Sequence, residues 1–260
     1  MEIQYGVCRL SIVSVRKDAN HLSQQVTQLL FGDHYEVLHE HKDRHWVLIR
    51  TYFDKVEGWI ESKQHHAITK EYFDQINTSD FKITTDVCAT ILYKKTPVSI
   101  VLGSVVPISQ SELFKMEEQF AFNGEAKALG QKREIEFVKA IATKYLNAPE
   151  QEGGKSPFGI DGIGLVQMVY KISGYHLPHK QQAFPTQYKP VKDANHIGDI
   201  LFLNSNKEKT QHLGLLIDQD KVMHVDGKVR VDQLVEEGLF DPETKILTHQ
   251  VEAIIRIIGD

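Results

Sequence analysis

The sequence predicts an α+β protein in which small all-β segments precede a domain of helices followed by strands. Three observations support this fold class. Residues 5–68 contain short apolar runs separated by turn signals, and residues 131–146 and 165–172 show helical periodicity. Four strand-like runs follow from Gly198 onwards. A chain of 260 residues is long enough to form two or three domains with a sizeable core.

The composition is typical of a soluble globular protein. It is 41% hydrophobic and 25% charged with a net charge of −5, so neither a nucleic-acid partner nor an anionic membrane surface is favoured. There is no stretch of about 18 apolar residues, and the N-terminal residues lack the basic and apolar regions of a signal peptide. From the sequence as given we expect a cytoplasmic protein with no membrane partner, no metal and no cofactor.

Residues 1–70 are expected to form a first small β-barrel. Residues 35–39 and 46–50 alternate apolar and polar side chains with a period of two, which is typical of half-buried strands. Gly58-Trp59-Ile60 closes this segment. Short strands joined by turns over such a length favour a small barrel.

Residues 71–128 are expected to form a second barrel after a short helical linker. Strand-like runs span residues 83–92 and 98–106. Residues 120–125 predict a final hairpin, with Asn123-Gly124 as its turn.

Residues 129–260 form the third predicted domain, which starts with a helix that ends before Pro149. A glycine-rich loop follows, with glycines at Gly153, Gly154, Gly159, Gly162 and Gly164. The apolar period that begins at Leu165 places the N-terminus of a buried helix at or just after Gly162. Free N–H groups and the helix dipole at such a position stabilise a thiolate or an oxyanion. The position suits a nucleophile, but its residue has no side chain.

The loop resembles that of the NlpC/p60 family of cysteine peptidases, which cut peptidoglycan stem peptides. The usual wording of the family is Tyr-x-Trp-Gly-Gly, then Ser/Thr-Pro-Phe-Gly-Ile-Asp-Cys-Ser-Gly. The chain matches it at Gly153, Gly154, Ser156, Pro157, Phe158, Gly159, Ile160, Asp161 and Gly164. The resemblance implies a papain-like α+β fold for residues 129–260, with Asp161 and its neighbours in the groove that binds the ligand.

The chain departs from this pattern at the positions that carry the chemistry. Gly162 occupies the position of the family's nucleophilic cysteine, and Ile163 that of the serine after it. Glu150 and Glu152 occupy the positions of the family's tyrosine and tryptophan. Glycine cannot attack a carbonyl, and a carboxylate would oppose a developing oxyanion. Glu150 and Glu152 are interpreted either as solvent-exposed loop charges or as groups that bind a cation or a basic peptide.

Two histidines match the remaining catalytic positions of the family. His212, in His-Leu-Gly-Leu, stands at the position of the base, and His224, in Met-His-Val-Asp-Gly, at the position of the residue that orients it. Without the resemblance, two strand histidines are more simply interpreted as structural. With it, both are expected in the former active site as vestigial residues.

The N-terminal segment resembles a bacterial SH3-like domain of the dipeptidyl-peptidase branch of the family, and residues 71–128 resemble a second one by position. Relatives often carry a substrate-facing tyrosine just before Glu-Gly-Trp; here that residue is Val56. After the loop helix, relatives carry an Asp and a Ser that hold the substrate. The corresponding residues 177–182 have neither, and His179 and Gln182 are assigned to the groove instead.

These losses lead us to expect a catalytically inactive protein that binds a peptidoglycan-derived peptide or a protein partner in a remodelled groove. Two alternatives remain open. One is a stem-peptide hydrolase in which Glu150 or Glu152 activates water together with His212. The other is a purely structural or regulatory partner of an active paralogue.

Other reactive side chains give weaker signals. Cys8 and Cys88 are too few for a disulfide framework, and both are expected to be small buried hydrophobes. Strand alternation places His39 and His41 on one face, where they are interpreted as solvated histidines because no complete ligand set accompanies them.

Overall fold

The computed structural model describes residues 4–78, 81–107, 120–177, 188, 190–192, 196–205 and 211–258. The chain divides into two compact units. The first comprises Met1–Gln131 and Glu152–Ser156, and the second Lys132–Gln151 and Pro157–Asp260. Both predicted barrels lie in the first unit, so the boundary near residue 70 stays a prediction. No helix in the described part of the chain has the length and apolar character required to cross a lipid bilayer.

The first unit begins with a seven-stranded antiparallel sheet in the order β3-β2-β6-β5-β4-β1-β7, whose strands β2–β6 pack around one hydrophobic core. Alternation in the fifth strand is as predicted, because Val47, Ile49 and Thr51 are buried whereas Leu48 and Arg50 are half-buried. The strands are β1 Gln4–Val7, β2 Ile12–Arg16, β3 Gln25–Leu30, β4 His34–Glu40, β5 Trp46–Thr51, β6 Glu57–Glu61 and β7 Ala67–Ile68. A 3-10 turn at Ser62–Gln64 precedes β7.

A helix and two three-stranded sheets complete the first unit. Helix α1 spans Lys70–Thr78, where a short helical linker is predicted. The sheets have the orders β10-β9-β12 and β11-β8-β13. Their strands are β8 Lys82–Thr84, β9 Cys88–Tyr93, β10 Thr96–Val101, β11 Val105–Val106, β12 Phe120–Asn123 and β13 Ala126–Ala128.

The hairpin predicted at Asn123-Gly124 is wrong. Strand β12 pairs with β9 and β13 pairs with β8, so the chain crosses from one sheet to the other between them. Gly124 makes this crossing with a φ of +157°, and a Cβ atom there would lie 2.9 Å from the Ala89 side chain. The glycine therefore permits a close approach between strands rather than a tight two-residue turn.

The two cysteines differ. Cys8 is buried as predicted, and its thiol donates to the Leu10 carbonyl oxygen at 3.3 Å. Burial raises the pKa of the Cys8 thiol to about 12, so it is an inert, protonated group. The prediction that Cys88 is buried is wrong, because it lies exposed at the start of β9.

The second unit contains two helices and a closed barrel. Helix α2 spans Ile135–Thr143, within the predicted helix, and α3 spans Gly162–Ile172. Two short strands precede α3 in the sequence. They are β14 Lys155–Ser156, which belongs to the first unit, and β15 Gly159–Ile160, which belongs to the second.

The barrel is a ring of six antiparallel strands, because β22 pairs with both β17 and β21. All six contribute to one hydrophobic core that includes Leu201, Leu216 and Leu239. Strand β16, Pro190–Val191, extends the sheet beside β22. The ring consists of β17 Ile200–Ser205, β18 Gln211–Asp218, β19 Lys221–Asp226, β20 Lys228–Val235, β21 Gly238–Asp241 and β22 Ile246–Ile255.

Candidate functional site

Helix α3 begins at the residue predicted from the sequence. Asp161 is its N-cap, with an extended backbone at φ −104° and ψ 174°, and its Oδ1 accepts from the Gly164 N–H at 2.6 Å. Gly162 is the first helical residue. Every residue from Gly164 to Ile172 is buried, so the helix is held on all sides rather than along one stripe. Ile163, beside the former nucleophile position, is half-buried.

The backbone does not require a glycine at position 162. A Cβ atom on Gly162 would meet only the backbone N and O of Leu213, each at the ordinary contact distance of 3.6 Å. Gly153 provides the contrast, since its φ is +65° and a Cβ atom there would lie 2.8–3.0 Å from the backbone of residues 25–27. Position 162 therefore has room for a side chain, whereas backbone conformation and packing require the glycine at position 153.

The segment Glu152–Ser156 is held by several contacts within the first unit. The Gln24 side-chain amide donates to the Glu152 carboxylate, and the Gln25 amide donates to the Glu152 carbonyl oxygen at 2.9 Å. The Lys155 N–H donates to Gln28 Oε1 at 2.9 Å, and its ammonium pairs with the Asp54 carboxylate. The Glu152 carboxylate is therefore exposed but already hydrogen-bonded.

Glu150 is also engaged. Its Oε2 accepts from the Gly227 N–H at 2.7 Å, and its own N–H donates to the Gly227 carbonyl oxygen at 3.0 Å. Gly227 has a φ of +68° in the turn between β19 and β20. The carboxylate thus caps this turn from an exposed position.

Three further residues were predicted to lie in the groove. Val56 is 5% exposed inside the first unit, and its N–H donates to Thr51 Oγ1 at 2.9 Å. His179 and Gln182 lie outside the described residues. Their assignment to the groove stays a prediction.

The two retained histidines meet through a third. The His249 ring lies 5.3 Å from the His212 ring and 5.1 Å from the His224 ring, measured between ring centres and with edge-to-face geometry in both pairs. Register places all three on the inner face of the barrel, because His212 is opposite Leu203, His224 is opposite Gly214, and His249 is opposite Leu239. We call His212, His224 and His249 the histidine cluster.

A buried carboxylate holds one end of the histidine cluster. His224 is fully buried, and its Nε2 lies 3.0 Å from Oδ2 of Asp232, which is 1% exposed. The Arg230 Nε donates to the other oxygen of Asp232 at 2.9 Å, and the Arg230 guanidinium also pairs with Asp241. Because the carboxylate accepts, Nε2 of His224 carries the hydrogen of this contact. The Nδ1 atoms of His224 and His249 are buried and have no hydrogen-bond partner among the residues that the structure describes.

The environment keeps His249 neutral. Burial is the largest influence on its pKa, followed by the neighbouring His224 and His212, and together they lower it to about 4. The carboxylates Asp226 and Asp232 act in the opposite direction without reversing the shift. Within the described ranges, no group of three His, Cys, Asp or Glu side chains has an arrangement that could hold a metal ion.

Sequence reasoning missed His249 and the role of Asp232. His249 belongs to no motif and lies 25 residues after His224, so only strand register places it beside the two predicted histidines. Asp232 lies in the Lys-Val-Arg-Val-Asp run that resembles the family, two residues after Arg230 on the same face of β20. That spacing was the available signal for a buried ion pair.

Sequence comparisons agree with this architecture. Residues 151–247 match the NlpC/P60 family, and residues 15–64 match the bacterial dipeptidyl-peptidase SH3 domain. The chain is 25% identical over 243 residues to Dipeptidyl-peptidase 6 of Lysinibacillus sphaericus, covering 83% of this chain and 86% of that protein. It is 26% identical over 217 residues to the gamma-D-glutamyl-L-lysine dipeptidyl-peptidase of Bacillus subtilis strain 168, covering 76% and 71%.

Solved structures share the fold at low sequence identity. An NlpC/P60 family protein from Bacillus cereus ATCC 10987 superposes with a TM-score of 0.73 at 15% identity, covering 97% of this chain and 99% of that one. An NlpC/P60 endopeptidase from Photobacterium damselae subsp. piscicida gives a TM-score of 0.66 at 12% identity, covering 96% and 70%. The chain carries an NlpC/P60 domain preceded by a bacterial dipeptidyl-peptidase SH3 domain.

Proposed function

We propose that this protein is a non-catalytic NlpC/P60-domain protein that binds a peptide at the N-terminal end of α3. The observation that carries the proposal is Gly162, a residue without a nucleophile at the first position of a buried helix. Space for a Cβ atom remains there, so the loss is chemical and not imposed by packing.

The two carboxylates nearest in sequence support the loss of catalysis. Glu150 accepts from Gly227 and Glu152 accepts from Gln24, so both carboxylates serve as acceptors in local structure. A general base must reach the proton that it abstracts, and both carboxylates are already hydrogen-bonded elsewhere. This arrangement favours binding over a water-activating route.

The ligand class follows from the relatives. The Bacillus subtilis relative is named for a gamma-D-glutamyl-L-lysine substrate, so we propose a short peptide with a γ-D-glutamyl linkage as the ligand. His212, half-buried and next to the backbone that faces Gly162, is the polar side chain that we assign to ligand contact.

Calorimetric titration with L-Ala-γ-D-Glu-diaminopimelate, with product analysis of the same sample, tests this proposal. We expect saturable binding, no cleavage, and at least a tenfold loss of affinity in His212→Gln. The matched control is His39→Gln in the first unit, which should bind as the unaltered protein does. The same peptide with an α-linked glutamate should bind more weakly if the linkage is recognised.

Each other outcome overturns the proposal in a defined way. Cleavage would favour a hydrolase without a cysteine, an alternative that the peptidase names of the relatives support. Mutation of Glu150, Glu152 and His212 would then identify its base. Absence of both binding and cleavage would favour a structural or regulatory partner of another protein.

A further inference from the structure

We propose that proton uptake by His249 opens the pair of strands β21 and β22, which closes the barrel of the second unit. The strand pairing, packing and charged neighbours of His249 support this proposal. It is independent of any ligand and goes beyond the proposed binding of a peptide.

His249 lies on the pairing that completes the ring. Its Cα is opposite Leu239 of β21 on one side and opposite Ser205 of β17 on the other. Without these pairings β22 would no longer join the two ends of the sheet. The register shifts between Leu239 and Phe240, so the pairing is irregular at this point.

Packing around His249 leaves little room for adjustment. A Cβ atom on Gly238 would lie 2.0 Å from the His249 carbonyl oxygen, so the two backbones are in close approach. The side chain is only 4% exposed, and within the described ranges its Nδ1 has no hydrogen-bond partner. A proton on this ring would place an uncompensated charge next to the apolar core of the barrel.

The charged neighbours on each strand do not compensate for that charge. Strand β18 contributes His212, and β19 contributes His224 and Asp226. Strand β20 contributes Asp232, which is already shared by His224 and Arg230. Asp241 of β21 pairs with that same arginine, and β17 contains no charged residue. On β22 itself, Glu252 accepts from Asn204.

Burial and the charged neighbours therefore favour exposure of the His249 ring to water once it is protonated. The neighbouring imidazoles of His224 and His212 disfavour a positive charge on His249, and Asp232 already accepts from His224 and Arg230. Separation of β21 from β22 brings the ring into water, where the protonated form is stable. The site that holds His212 would then open as the pH falls.

Amide hydrogen exchange of the full chain at pH 7.5 and pH 5.0, corrected for intrinsic exchange, tests the proposal. The pKa of His249 is about 4 in the closed pair and 6.5 without the shift, so the open fraction should rise about 30-fold between these conditions. We expect this rise at Gly238–Asp241 and Ile246–Ile255, and not at Lys221–Asp226.

Two variants make the result specific. His249→Gln should remove the pH dependence of β21 and β22, whereas His39→Gln, an exposed histidine of the first unit, should leave it unchanged. Equal pH dependence in the His249→Gln and unaltered proteins would overturn the proposal, as would a uniform loss of protection across all six strands.

A second measurement covers the case in which His249→Gln does not fold. The proton resonance of the His249 ring in the unaltered protein is followed between pH 8 and pH 4. We expect no titration above about pH 5 except in step with the loss of protection in β22. Titration near pH 6.5 with the strands still paired would overturn the proposal.

Discussion

A Cβ atom on Gly162 would lie 3.6 Å from both the backbone nitrogen and the backbone oxygen of Leu213. That distance is ordinary van der Waals contact. Leu213 directly follows His212 on β18, so the start of α3 lies against the strand that carries the retained histidine. A side chain at position 162 would therefore lie next to that strand without a clash.

The first prediction is that Gly162→Cys folds normally. The helical backbone and the free space around position 162 should keep the free energy of unfolding within about 1 kcal/mol of the original value. Urea unfolding followed by far-ultraviolet circular dichroism measures this, and a thiol reagent shows whether the new cysteine is accessible. Loss of the folded state would show that the site has closed over the glycine.

Gly153→Cys is the matched control for that experiment. Its positive φ and the nearby backbone of residues 25–27 should make the same substitution cost at least about 2 kcal/mol. If both variants were equally stable, the contrast between the two glycines would be contradicted.

Local patterns were sufficient to predict much of the fold. The start of α3 was predictable because Asp161 is a good N-cap and the apolar period begins at Leu165. The alternation of apolar and polar side chains, which is also a local pattern, predicted β5. The crossing at Gly124 was not predictable, because an Asn-Gly pair signals a hairpin turn unless the sheet partners of the flanking strands are known.

The site was predictable only in part. Motif resemblance singled out Gly162, His212 and His224, whereas His249 lies beside the two histidines only through strand pairing far along the chain. The contacts of Glu150 and Glu152 could not be predicted either, because their partners lie 77 and 128 residues away in the sequence, respectively. Residue type and spacing predict local conformation, whereas such long-range contacts depend on the complete topology.

The second prediction concerns the buried ion pair of Lys155 and Asp54. Their side chains are 10% and 3% exposed, and Thr51 also donates to the aspartate. Lys155→Met leaves the carboxylate buried without its cation, so the first unit should lose about 3–5 kcal/mol. Both tryptophans lie in that unit, so tryptophan fluorescence during urea unfolding reports the loss.

A double variant separates charge burial from packing in this pair. Asp54→Asn combined with Lys155→Met removes both charges and should recover most of the stability lost by Lys155→Met alone. If the loss of stability in the double variant equalled the sum of the losses in the two single variants, the two charges would not depend on each other.

The third prediction is that Asp232→Asn strongly destabilises the second unit. The carboxylate accepts from His224 and Arg230 while it is 1% exposed, so its removal leaves the guanidinium with one buried acidic partner fewer. We expect a loss of about 3 kcal/mol or more at neutral pH. Amide exchange of β19 and β20 measures it, with the exposed Asp226→Asn as a control that should change stability by about 0.5 kcal/mol or less.

The fourth prediction is that the pairing of β21 with β22 loses stability in two steps as the pH falls. The pKa of His249 is lowered from 6.5 to about 4, so the opened pair binds a proton more readily than the closed one. Stability from the neutral imidazole is therefore complete above pH 6.5 and declines towards pH 4, by about 3 kcal/mol in total.

Asp241 controls the second step. Hydrogen bonds from Thr244 and Glu243 and the Arg230 guanidinium lower its pKa from 3.8 to about 2, against the effect of burial. Stability from this carboxylate is complete above pH 3.8 and is lost as the pH falls through 2. Amide exchange of β21 and β22 across this range should show the upper step abolished in His249→Gln and the lower step reduced in Asp241→Asn. A single step that both variants shift equally would contradict the assignment, because it would mean that the two groups titrate as one unit.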